Sequence, residues 1–98
     1  MLTSKQRAYL RSLANTEDAI FQVGKGGVNE NLIAQLNDAL KARELIKIKV
    51  LETAMLSARE ACDMVCEATG AMPVQCIGSR FVIYKRNDES PVINIPRT

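Results

Sequence analysis

The stretch Phe21-Gln22-Val23-Gly24-Lys25-Gly26-Gly27-Val28-Asn29-Glu30 reads as the end of a strand, a glycine loop carrying one lysine, and the first turn of a helix. Ile20, Phe21 and Val23 have the bulky side chains that suit a pleated strand. Asn29 is a good N-cap, and Glu30 then puts a negative charge in the first turn, where the helix dipole favours it. Leu32, Ile33, Leu36, Ala39 and Leu40 recur at helical spacing. A cationic glycine turn therefore stands directly before a helix N-terminus. Free backbone N–H groups and the dipole meet there, and both favour an anion.

Upstream, Thr3-Ser4-Lys5-Gln6 is a T-x-x-Q capping box that opens a helix running to Ala14. Tyr9, Leu10 and Leu13 form its short apolar stripe. Lys5, Arg7 and Arg11 are its charged residues, with no acid among them. The helix reads either as a solvated surface element or as an extension of a cationic face. Asn15 to Asp18 is a polar link, and the first strand is expected over Ala19 to Val23.

Downstream, the second helix runs from Glu30 to Ala42 or Arg43, with Lys41 and Arg43 in the last turn, where they complement the dipole. Leu45-Ile46-Lys47-Ile48-Lys49-Val50-Leu51 is the clearest strand. Ile46, Ile48 and Val50 alternate with Lys47 and Lys49, so one face is core and the other is either wet or turned toward a polyanion. Ser57 and Glu60 make a second capping box. The helix from Ala58 to Thr69 is expected to bury Ala61, Met64, Val65 and Ala68 and to point Glu60, Asp63 and Glu67 outward. Gly70 suits its C-terminal stop, and Pro73 prevents continuation. Val74 to Ile77 and Phe81 to Lys85 flank Gly78-Ser79, a two-residue II′ hairpin signal. Residues 87–98 read as an extended tail packing through Val92, Ile93 and Ile95.

The order is α-β-α-β-α-β-β. Strands alternating with helices argue for βαβ crossovers, and the closing hairpin adds an antiparallel edge. The expected fold is a compact α/β domain with a mixed four-stranded sheet. The expected division is a domain over 1–86 and a tail over 87–98. The strand order is not legible in the sequence.

At 98 residues the chain is one domain, and its net charge of +2 is too small to mark a partner, so any nucleic-acid footprint must come from clustering. The three cysteines, Cys62, Cys66 and Cys76, form no C-x-x-C, and Met1-Leu2-Thr3-Ser4-Lys5 runs straight into a polar helix. A reduced, cytoplasmic protein without a signal peptide is expected. No apolar run reaches the length of a membrane span. Histidine is absent, which removes the commonest general base and metal ligand. No catalytic residue, cofactor or metal site is assigned, and the cysteines read as small buried hydrophobes.

Gly24-Lys25-Gly26-Gly27 fits G-x-x-G. It lacks the length and the Gly-Lys-Ser/Thr end of a Walker A loop, and Asn29 stands where the third glycine of a dinucleotide loop would fall. A G-x-x-G loop that clamps a sugar–phosphate backbone is the device of the KH-type RNA binders. Spacing alone equally allows a tight strand-to-helix turn. The interposed Lys25 favours phosphate, because a turn needs no lysine. The basic residues lie in the first helix, the loop and the strands, while acids gather in the third helix and at Asp88-Glu89. The aromatics are Tyr9, Phe21, Phe81 and Tyr84, too few for a stacking platform, so any RNA contact is mainly to phosphate and sugar. Two other readings stay open. One is a small phosphorylated ligand, such as a nucleotide, held at the same loop. The other is a protein adaptor using the acidic third helix.

The ordered set of Leu2-Thr3, Gln6-Arg7, Tyr9-Leu10, Val23 to Gly27, Ala39-Leu40, Glu44 to Val50, Gln75 to Gly78 and Tyr84 to Arg86 resembles the CRM domain family, in particular its stand-alone bacterial YhbY-type members. The resemblance covers Met1 to Arg86. It implies a fold like the C-terminal domain of translation initiation factor 3. It also implies binding to structured RNA, in bacteria the ribosomal RNA of large-subunit precursors; a monomer is expected. Carried over by position, Gly24, Lys25, Gly26 and Gly27 meet the RNA, and Lys5, Arg7 and Arg11 support them. The family's threonine after the loop is Asn29 here, and its common histidines are replaced by Asn15 and Arg43.

Overall fold

The structure, a computed structural model, describes residues 2–89 together with Pro91 and Ile93. The elements are α1 (Ser4–Ala14), β1 (Phe21–Val23), α2 (Glu30–Arg43), β2 (Leu45–Val50), a single 3-10 turn at Glu52–Ala54, α3 (Ala58–Thr69), β3 (Met72–Ile77) and β4 (Arg80–Tyr84). The expected α/β order and the mixed four-stranded sheet are both present. Strand ends differ. β1 begins at Phe21 rather than Ala19, and β3 reaches back to Met72, with a register shift between Pro73 and Gln75. That irregularity suits an edge strand, where proline's missing N–H leaves no ladder bond unmade.

Both capping boxes form. Gln6 N–H donates to Thr3 Oγ1 at 3.1 Å while Thr3 N–H donates to Gln6 Oε1 at 3.0 Å, and Ser57 and Glu60 repeat the exchange before α3. Gly70 ends α3 with φ 79, and its N–H donates to the Cys66 carbonyl. Gly78 has φ 58 while Ser79 does not share the left-handed region, which is the II′ pattern.

The sheet order is β1-β2-β4-β3, with β1 parallel to β2 and β4 antiparallel to both of its neighbours. The chain therefore makes two parallel crossovers, β1-α2-β2 and β2-α3-β3, stepping the same way across the sheet. Right-handed crossovers in one direction put both helices on one face. That face is the main core: Val23, Ile46, Ile48, Val50, Phe81 and Ile83 pack against Leu36 and Leu40 of α2 and Ala61, Cys62 and Val65 of α3. The opposite face is left to α1, whose Leu10 and Ala14 cover Leu45, Val74, Val82 and Tyr84. One short helix shields only part of a four-stranded face, and the rest stays open.

α3 departs from its expected burial. Ala61 and Val65 are buried, but Met64 is 43% exposed and Ala68 is exposed as well. The helix packs on the sheet through a narrower stripe than its apolar residues define.

Glu44 joins α2 to β2 and is fully buried with φ 64. Its carboxylate accepts the N–H groups of Asn87 and Ile93, each at 2.6 Å, and its carbonyl accepts Lys85 N–H at 2.9 Å. These charge-assisted bonds return the residues after β4 to the body of the domain. Ile93 packs beside α1 as expected for the tail, whereas Val92 and Ile95 lie outside the described residues.

Candidate nucleic-acid interface

The glycine loop leaves β1 at the end of the sheet where β2 also finishes and the β3–β4 turn lies. Leu51 N–H donates to the Val23 carbonyl at 2.9 Å, and Val50 N–H to the Ser79 carbonyl at 2.6 Å. Within the loop, Gly27 N–H donates to the Gly24 carbonyl at 2.8 Å, closing a turn with exposed Lys25 and Gly26 at its tip. Gly27 has φ 66, a conformation that costs a side-chain-bearing residue about 1–2 kcal/mol. At Gly26 the constraint is contact rather than φ: a Cβ there would stand 2.9 Å from Asn29 Nδ2, so the Asn29 side chain would have to shift. Asn29 is occupied as N-cap, its Oδ1 accepting Leu32 N–H at 2.9 Å.

That cap, with Glu30 behind it, meets part of the positive end of α2 from within. The N–H groups of Lys25 and Gly26 find no acceptor among the described residues. The exposed donors thus belong to the loop tip more than to the helix end. The turn reading and the anion reading hold together: the turn is what presents the donors.

Register places a second group beside the loop. Gln22 lies opposite Lys49, Lys49 opposite Arg80, and Arg80 opposite Ile77, one row across all four strands. The row occupies the face that α1 leaves uncovered, at the loop end of the sheet. Lys47 follows two residues down β2 on the same face. Ile77 is 64% exposed, an apolar residue at the end of a polar row.

Ion pairing separates the basic residues into two classes. Arg43, Arg59 and Arg86 pair with Glu17, Asp63 and Asp88, and Lys85 Nζ donates to the Thr69 carbonyl at 2.6 Å, capping α3. Among the described residues, Lys5, Arg7, Arg11, Lys25, Lys41, Lys47, Lys49 and Arg80 have no acidic partner within salt-bridge distance, and of these Lys41 lies apart, in the last turn of α2. No acid of the described residues neutralises their charge. Lys85 and Arg86 leave the cationic group that their position in the sequence suggests.

The sequence-predicted residues fall in two places. Gly24, Lys25, Gly26 and Gly27 form the loop beside Lys49 and Arg80. Lys5, Arg7 and Arg11 lie on α1, with Arg7 lining a cleft at the β3 edge with Arg59, Asp63 and Gln75, while Lys5 and Arg11 are exposed. Lys49 and Arg80 were not among the residues assigned to the site. The alternation in β2 marked the lysine face, but only strand order shows that Arg80 joins it.

The cysteines stand apart from this surface. Cys62 is buried one helical turn from Cys66, and the neighbouring thiol together with burial pushes the Cys62 thiol above its ordinary range. Cys76 is exposed on β3, and no group of three or more metal-ligating side chains occurs among the described residues. No helix among the described residues is long and apolar enough to cross a membrane.

Residues 2–85 match the CRS1 / YhbY (CRM) domain. The chain belongs to the CRM family. This CRM domain is 44% identical over 96 residues to the Bacillus subtilis "Probable RNA-binding protein YqeI", covering 98% of the chain and 100% of that protein. It is 31% identical over 96 residues to a Haemophilus influenzae "RNA-binding protein", covering 98% and 96%. The solution structure of the Staphylococcus aureus protein SAV1595, described as a proposed RNA-binding protein, superimposes with a TM-score of 0.76 at 47% identity, covering 98% of this chain and 100% of that one. The fold is thus shared with a solved relative.

Proposed function

We propose that this CRM domain binds structured RNA through Gly24, Lys25, Gly26 and Gly27, with Lys49, Arg80 and Lys47 continuing the contact across the open sheet face. Lys5, Arg7 and Arg11 add supporting contacts from α1. The observation that carries the reading is the set of basic side chains that have no acidic partner among the described residues, beside a loop whose tip N–H groups have no acceptor among them either. A polyanion neutralises several such charges at once and releases its counterions. The bound RNA is ribosomal RNA in large-subunit precursors. The protein acts there in the cytoplasm, as a monomer and without chemistry of its own, through a domain over 1–86 followed by the tail 87–98. The names of the relatives support RNA as the ligand class.

A nucleotide at the same loop is the competing reading. Small-molecule sites enclose most of their ligand, whereas Lys25 and Gly26 are exposed at the loop tip and the basic row extends well past it. Sucrose-gradient sedimentation of lysate at low and high salt tests the proposal. Co-sedimentation with large-subunit precursors is expected, lost at high salt and lost with Lys25→Glu or Gly26→Asp. Protein that stays at the top of the gradient at both salts removes the ribosome link. A thermal shift with ATP, GTP or NAD alone would restore the nucleotide reading.

A further inference from the structure

The main-core helices carry a second surface, on the opposite side of the sheet from the basic row. Glu30, Ile33, Ala34 and Asn37 form one stripe of α2, and Met64, Glu67 and Ala68 form one stripe of α3. Together with Val28 and Asn29 they line an open cleft of about 660 Å³. Its floor is apolar, from Val28, Ile33, Ala34, Met64 and Ala68. Glu60 continues the α3 stripe one turn back. The charged residues lining the cleft, Glu30 and Glu67, are both acidic and exposed. This is the surface where α3 failed to bury two of its expected core residues.

We infer that this cleft docks a basic amphipathic segment of a partner protein, a helix with apolar residues at i, i+3 or i+4 and i+7 and with Lys or Arg on its flanks. Two parallel helices with an apolar floor accept a third helix by the helix-in-groove mode. The acidic rim selects the sign of the partner and repels RNA, which would meet like charge. The basic helix of this chain, α1, already packs Leu10 and Ala14 against its own sheet, so a second copy does not offer that apolar face to the cleft. Val28 and Asn29 belong to the cleft and directly follow the glycine loop. A partner seated there would lie against one side of the loop, with the open sheet face beyond its other side.

The probe is a synthetic peptide of about 16 residues with Leu at helical spacing and Lys elsewhere, long enough for four turns. Controls are a scrambled peptide of the same composition and a version with Glu in place of Lys. Methyl NMR of the full chain is expected to show shifts at Val28, Ile33 and Met64 with the basic amphipathic peptide. Affinity should fall roughly tenfold in Met64→Gln and in Glu30→Gln/Glu67→Gln, as expected for losing one apolar or electrostatic contribution of ordinary size. Affinity for hairpin RNA should be unchanged in Met64→Gln, which lies on α3 away from the glycine loop. A benzoylphenylalanine cross-linker at Ala34 in cells should capture a segment whose sequence is net basic with helical apolar spacing. Equal binding of the scrambled or acidic peptide, or shifts confined to the sheet face, would overturn the inference. So would cross-links to RNA or to a second copy, the latter accompanied by self-association in sedimentation that Met64→Gln abolishes.

Discussion

The salt dependence of RNA binding tests the interface at the level of single charges. Lys25, Lys47, Lys49 and Arg80 lie on the loop and the open face without acidic partners among the described residues. If each meets one phosphate of a helical RNA, these four contribute about −3.6 to the slope of log K against log salt, from about −0.9 per phosphate, and the α1 cations add to it. Between 50 and 200 mM salt, these four contacts alone weaken affinity about 150-fold. Lys49→Gln/Arg80→Gln removes two of them, so the slope should become shallower by about 1.8 and the same salt step should cost about 12-fold less. Fluorescence anisotropy with an end-labelled hairpin RNA across a KCl series measures both slopes. Lys85→Gln and Arg86→Gln serve as controls. Lys85 is engaged with the α3 terminus and Arg86 with Asp88, so neither should alter the slope. An unchanged slope in the double variant, or an equal drop in the controls, would refute the assignment of the sheet face.

Glu44→Gln should cost about 1.5–3 kcal/mol in urea unfolding, the worth of a hydrogen bond to a charged group, because an amide presents one acceptor where the carboxylate serves both Asn87 and Ile93. Glu60 should make the stability of α3 depend on pH. The Ser57 N–H favours the charged carboxylate and holds its pKa below the ordinary value, so its contribution is present above the ordinary carboxylate range and is lost as pH falls through the lowered value. Glu60→Gln keeps the capping geometry, as Gln6 does in α1, and thermal unfolding should show the wild-type advantage shrinking to nothing in acid.

The sequence by itself determined the elements. Both capping boxes, the Gly70 stop, the hairpin at Gly78-Ser79 and the alternation of Ile46, Ile48 and Val50 are local signals, set by backbone donors and side-chain periods within a few residues. The glycine loop was legible for the same reason: its turn, its N-cap and its lysine are contiguous in the chain. What only the tertiary structure decided depends on pairing between distant strands. β4 docks between β2 and β3, which places Arg80 beside Lys49 and makes two separate basic residues one row. Tertiary contact also withdrew Lys85 and Arg86 from the cationic set, by giving them partners at Thr69 and Asp88. Glu44 gave no local signal, because its burial depends on the chain returning after β4. Met64 and Ala68 had the period of core residues but lie in an open cleft, since periodicity states which side chains share a helix face and not how far the neighbouring helix reaches across it.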